Sequence, residues 1–232
     1  MRKLGGGYTA PQLAVSGGTV EYLDLSVYEY TRFPIPMRCV GWLGRERGMQ
    51  SNGASPVAAA DLELVRSSSR HLGRLMLGTH DCEFCPGGSI FEGNGEYRYY
   101  LQDGEVYSAP MMIIHYMESH GYKPPRVFLE HLRKSGRLSW DWRAARLSEV
   151  LLNESESVSI RCEAAIDLAR WRDHRALDAL IHVALDEELV DAAGEEIGKS
   201  IGLLLSSGLV GGVCVDEFPD EVRYGISQFY RA

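Results

Sequence analysis

The sequence predicts an α+β protein: a small Cys/His-containing module with a β-hairpin and helices, followed by an all-α segment of helical hairpins. Three observations predict it. A Cys82-x2-Cys85 knuckle, an Asp103-Gly104 hairpin signal and a histidine-bearing helical stretch follow one another in the first part of the chain. Beyond Gly136 proline almost vanishes until Pro219, and helix-period apolar patterns succeed one another. The net charge of -8 divides at the same place: residues 1–136 carry 14 Lys/Arg against 14 Asp/Glu, and residues 137–232 carry 10 against 18. The expected organisation is a loose N-terminal arm (1–20), an α+β module (21–136) and an acidic helical domain (137–232) with a C-terminal capping helix.

Each element has its own signal. Residues 22–30 have strand or turn character, and Pro34 and Pro36 stop any helix after them, because proline lacks an N–H and restricts its predecessor. Residues 38–43 read as a short strand and 44–55 as a Gly-rich loop. Val57, Leu62, Leu64, Val65 and Leu72 fit one face of a single helix over 56–75, on which Arg66, Arg70 and Arg74 recur every four residues. Asp103-Gly104 between β-formers predicts a type I′ turn, with positive φ at both central positions. Pro110 suits the first position of a helix over 111–120, and Gly121 supplies its left-handed stop. A short helix is expected over 126–133, then helices near 140–152, 158–170, 175–185 and 189–205, and a closing amphipathic one within 218–230.

Bulk composition excludes several classes. Hydrophobic content of 45% and charged content of 24% are near the globular average, which argues against wholesale disorder. No apolar run approaches the roughly 18 residues a membrane span needs, and the first 20 residues lack the apolar centre of a signal peptide. The expected address is the cytoplasm. There a close cysteine pair binds metal or does redox chemistry more often than it forms a disulfide. GxSxG, Walker A, GxGxxG and HExxH motifs are all missing, so the expectation is a non-enzyme. Glu96, Asp103 and Glu105 are read as solvated hairpin residues.

The chemistry-bearing pattern is Cys82-x2-Cys85 followed by His115-x4-His120. Thiolate sulfur and imidazole nitrogen suit four-coordinate Zn2+, and a C-x2-C knuckle with a later histidine pair is a known structural arrangement. At about 100° per residue the two histidines point some 140° apart on a regular helix. Both can ligate one ion only if the last turn loosens near Gly121, and His80 is the alternative fourth ligand. Without metal, Cys82 and Cys85 would be small core residues beside Phe84, and the histidines would bond locally. A redox role is disfavoured because the pair opens no thioredoxin-like helix. Cys162, among apolar helical neighbours, reads as a core thiol.

Residues 78–86, 107–116 and 120–128 together resemble an uncharacterised bacterial domain family with a GxHxCxFC knuckle and a YxAPxxIxHYxxxHxYxPPxxF signature. Residues 22–30 and 40–43 look like its opening, so the resemblance covers roughly 20–133 and implies a domain without implying a reaction. Residues 158–168 and 190–201 resemble each other at an offset of 31–32 residues, and 163–181 resembles the HEAT-repeat pattern, over roughly 138–205. Two such repeats cannot stand alone and should pack on the front module. The functional expectation is a protein-binding protein, of immunity or antitoxin type, that docks a basic partner such as a toxin. Asp186, Glu187, Glu188, Asp191, Glu195 and Glu196 are the expected contact residues. The alternatives are a zinc-stabilised regulatory module touching nucleic acid through the Arg66/Arg70/Arg74 stripe, and a Cys/His or metal-dependent enzyme.

Overall fold

Glu96 to Tyr99 alternates charged with aromatic side chains, and this period of two organises the molecule, because successive strand residues face opposite sides of a sheet. A computed structural model describes residues 21–44, 56–70, 72–86, 91–209 and 214–230. The N-terminal arm, the loop after Gly44 (45–55) and the Gly87-Gly88 end of the knuckle lie outside the described residues.

The described strands are β1 (Arg38–Cys39), β2 (Leu72–Asp81), β3 (Glu92–Tyr100) and β4 (Val106–Pro110). They form a mixed sheet in the order β1-β4-β3-β2, with β1 parallel to β4 and the other pairs antiparallel. Around the strands lie α1 (Ala59–Ser68), α2 (Ile113–His120) and α3 (Arg126–Lys134). The second half contributes α4 (Trp142–Leu152), α5 (Val158–Leu168), α6 (His174–Val183), α7 (Glu187–Ser206) and α8 (Asp220–Ser227).

The sheet separates two cores. Tyr99, Leu101, Tyr107 and Ala109 join Val65, Ile113, Tyr116 and Phe128 on one side. Tyr100 and Val106, one position out of phase, join Cys39, Trp42 and the apolar faces of α4 to α8 on the other. The result is a three-layer arrangement, front helices, sheet and rear helices, with the rear helices packed on the front module's sheet. Cys39 sits inside the rear core, where burial pushes its thiol up to about 12.

Four expectations about local structure are corrected. The helix expected over 56–75 ends at Ser68, and Leu72 opens β2. Ser67 and Ser68 hydroxyls bond back to the Leu64 carbonyl and that of Ser69 to Val65, the local competition by which serine ends helices. Arg66 and Arg74 therefore lie on different elements, and the arginine stripe does not exist as a helix face. The Asp103-Gly104 hairpin forms, but only Gly104 has positive φ (+97°). The Gly104 N–H donates to Leu101 O, and the Leu101 N–H to Glu105 O, so the turn is a three-residue loop with a left-handed glycine, not type I′. Pro110 ends β4 opposite Glu96 and does not open α2. Glu96, expected at a solvated hairpin, is fully buried.

The rear helices follow their sequence signals closely because each is capped. The side chains of Asp141, Ser157, Asp173 and Asp186 accept N–H bonds at the starts of α4, α5, α6 and α7. α4 packs on α5 and α6, while α7 packs on α5 and α6. α7 leaves helical dihedrals at Ala193 and then meets α8 through glycines. A methyl on Gly198 would run into the Val222 carbonyl, and one on Gly202 would lie 2.7 Å from Ile226 O. Replacing Gly198 with alanine should therefore destabilise by about 1–3 kcal/mol or more. An unchanged melting temperature would show that α8 can simply move away.

Candidate metal centre

The front module brings four soft or borderline donors to one point. Cys82 follows β2 directly, held in place by its N–H to Phe91 O (2.8 Å), and Cys85 closes the turn with an N–H to Cys82 O (3.4 Å). Pro86 ends the knuckle. His115 and His120 come from α2, whose apolar residues Ile113, Tyr116 and Met117 anchor it in the front core. Gly121 adopts φ +69°, and the Tyr122 N–H reaches Tyr116 O (3.0 Å), a left-handed helix end that glycine adopts without a Cβ penalty.

The donor atoms of Cys82, Cys85, His115 and His120 all lie within 4.8 Å of one another, close enough to hold a metal ion. Cys82 Sγ is 3.3 Å from His120 Nε2, and Cys85 Sγ is 3.3 Å from His115 Nε2 and 3.5 Å from His120 Nε2. The two Nε2 atoms are 3.1 Å apart. The 140° separation on the helix is overcome although His120 is still helical; the left-handed residue comes one position later. The imidazole rings meet edge to face, centroids 4.8 Å apart, across the end of the helix. His80 is not part of the group. It sits on β2 opposite Gly93 and lines a cavity of about 30 Å³ with Tyr30, Trp42 and Met112.

Aromatic rings wall the cluster. Phe91 stacks on His115 (4.0 Å, 6° between planes), and Phe84 packs on Tyr116 and, at 5.8 Å, on His120. Phe91 was not singled out in the sequence, since it follows a Gly-rich stretch with no pattern of its own. Phe84 was, as the apolar residue inside the knuckle. Burial, then the charge of His120, lowers the proton affinity of His115, against a smaller opposing pull from Glu118; burial alone lowers that of His120. Burial, then the hydrogen bond and charge of Cys82, raises Cys85. Neutral imidazoles are already in their ligating form. A bound cation would supply the charge that stabilises the thiolates.

The six acidic residues expected at a partner surface do not behave alike. Asp186 caps α7 and pairs with Arg161 (2.7 Å), and Glu195 and Glu196 pair with Lys199 (2.7 and 2.8 Å). Glu187, Glu188 and Asp191 are exposed at the start of α7. Sequence reasoning missed the most heavily charged interior feature, centred on Arg98. Its guanidinium bonds Glu96 (2.7 and 2.9 Å) and Asp167 (3.0 Å), and also Glu163. Tyr28 OH donates to Glu96 (2.5 Å), Tyr100 OH and Arg170 reach Asp167 (2.8 and 3.1 Å), and Arg74 reaches Glu163 (3.4 Å). Phe33 lies 3.7 Å under the guanidinium. The only sequence signal was Glu-x-Arg in phase on one strand.

No curated protein and no solved structure matches the chain significantly. Residues 20–133, which hold the whole Cys/His cluster, match the family model described as Domain of unknown function (DUF7919).

Proposed function

We propose that this is a non-enzymatic interaction protein: a front module built around a structural zinc, and a rear HEAT-like pair of helical hairpins whose acidic end docks a basic partner. For the metal, zinc bonds of about 2.3 Å to sulfur and 2.0–2.1 Å to nitrogen in a tetrahedron put N···N near 3.3 Å and N···S near 3.5 Å. The observed 3.1 Å and 3.3–3.5 Å separations fit that figure. Four protein donors close the coordination sphere, the mark of a structural site, since catalytic zinc keeps one position for water or substrate. Metal analysis of the purified chain should return about one zinc per molecule, falling to near zero in Cys82→Ser. A full complement in the variant would refute the assignment.

For the partner, the carrying observation is how the acids of 137–232 divide. Ten of the 18 are in ion pairs. Glu154, Asp178, Glu187, Glu188, Asp191, Asp216, Glu217 and Glu221 are exposed without one among the described residues. Six of these eight cluster by element at the starts of α7 and α8. Gly194, Gly198 and Gly202 meet Glu221, Gly225 and Ile226 in the same order, so the two helices run parallel. Their acidic N-terminal ends therefore lie at one end of the pair, a surface complementary to a basic protein. The stacking of α4/α5 on α6/α7 supports the HEAT-like reading. An immunity- or antitoxin-like inhibitor is the sharper form of this reading, supported by that unneutralised acidic end.

Reversal of Glu187, Glu188 and Asp191 to lysine should cut partner recovery in a pull-down by tenfold or more. Raised salt should do the same to the wild type. Asp186 is left alone, because its loss would uncap α7. Recovery unaffected by both the reversal and salt would sink the docking surface.

A further inference from the structure

Against the acidic trend of the second half, one cavity is lined by arginines. Gly136, Arg137, Leu138, Tyr100, Arg170 and Arg172 line an open cavity of about 340 Å³ where the end of β3, the connection into α4 and the end of α5 meet. That volume lies at the lower end of small-molecule sites. Three of the ten Lys/Arg in residues 137–232 line it, and no acidic residue does.

The three guanidinium groups differ in how they are held. Arg170 is fixed by Asp167 (Nε to Oδ1, 3.1 Å) and lies over the Tyr100 ring at 5.5 Å, so its position is set. Arg137 donates to the backbone carbonyl of Arg172 (2.9 Å), which ties the two rims of the cavity together, and Gln102 Nε2 donates to the Arg137 carbonyl (3.0 Å). Neither Arg137 nor Arg172 is in an ion pair among the described residues, and both are exposed at the cavity mouth. A planar fork of N–H donors answers two oxygens of one anion at once, which makes arginine the residue of choice for phosphate. Holding one fork in place before binding reduces the ordering cost.

We propose that this cavity binds a small phosphate dianion, either free phosphate or the phosphate group of a small molecule, with Arg137 and Arg172 as the gripping residues and Arg170 as the fixed wall. None of the residues of α7 or α8 line it, so the site is independent of the acidic docking end.

Isothermal titration of the full chain at constant ionic strength tests this with two probes, inorganic phosphate and methyl phosphate. Saturable one-to-one binding is expected, weakened about tenfold or more in Arg137→Ala and in Arg172→Ala. Arg172→Lys should fall between, since it keeps the charge and loses the fork. Arg146→Ala, exposed on α4 and paired with Glu149, should bind as wild type. Arg172→Ala should keep the wild-type melting temperature without phosphate, because its side chain is exposed, and Arg137→Ala should lose little, since the one bond it gives up, to the Arg172 carbonyl, is itself exposed. Tighter binding of methyl phosphate would assign the site to a phosphate-bearing molecule, and preference for inorganic phosphate to the free ion. No saturable heat with either probe, undiminished binding in both alanine variants, or equal loss in Arg146→Ala would overturn the proposal.

Discussion

Cys82→Ser is expected to cost the front module its fold, and the loss should be reproduced by a strong chelator acting on the wild-type chain. Cys82 is buried against the front core, and it joins the knuckle after β2 to His120 at the end of α2. Among the described residues those two segments meet at the cluster. Apparent binding free energies of structural zinc run to about 10–16 kcal/mol in small zinc domains, and where no site exists in the unfolded chain that energy is folding energy. Serine offers a poor zinc ligand in place of thiolate, so the variant should lose near-ultraviolet signal from the front aromatics and become sensitive to protease between β2 and α2. The rear helices pack largely on one another, on the far side of the sheet from the cluster, and should keep more of their helical signal. If Cys82→Ser stays folded and chelator leaves the melting curve unmoved, the four side chains are ordinary neighbours.

Arg98→Met is expected to be the most damaging substitution away from the cluster. The side chains of Arg98, Glu96 and Asp167 are fully buried, and Glu163 nearly so. Methionine keeps much of the volume but leaves three interior carboxylates with one fewer cation among them. Breaking a buried ion pair by removing one partner costs about 3–5 kcal/mol, which for a chain this long lowers the melting temperature by roughly 6–20 °C. Burial alone would weaken proton binding by Arg98, yet Asp167, Glu96 and Glu163 hold its affinity well above the ordinary value. Burial holds the Glu163 carboxyl above its ordinary value even against Arg98 and Arg74.

A carboxyl with a folded pKa above its unfolded one binds more protons when folded, so stability falls as pH rises from below 4.5 through that interval. Without Arg98 the interval widens upward. The deficit of Arg98→Met should therefore shrink as pH is lowered from 8 to 5. A deficit independent of pH would mean that lost packing against Phe33, not charge, dominates.

How much of this was legible depended on whether the determining contact was local. The rear helices were placed to within a few residues, since Asp141, Ser157, Asp173 and Asp186 mark their starts in sequence. The four metal-binding candidates were legible because cysteine and histidine declare their chemistry and their spacing sits beside Gly and Pro punctuation. Their convergence was not, because helix geometry taken alone sets His115 and His120 apart. Glu96 looked like a solvated hairpin residue and Arg98 carried no signal of its own, since the burial of both depends on Glu163 and Asp167, 65 to 71 positions away, arriving on a different layer. The Arg66-to-Arg74 stripe failed for the opposite reason. The helical period continued through residues whose serine neighbours had already ended the helix.

Everything proposed for the front module rests on a closed tetrahedral zinc held by Cys82, Cys85, His115 and His120. X-ray absorption at the zinc edge of the purified full-length protein reads that shell directly. Two sulfur scatterers near 2.3 Å and two nitrogen scatterers near 2.0 Å are expected. A shell containing water or carboxylate oxygen, or one without sulfur, would contradict it.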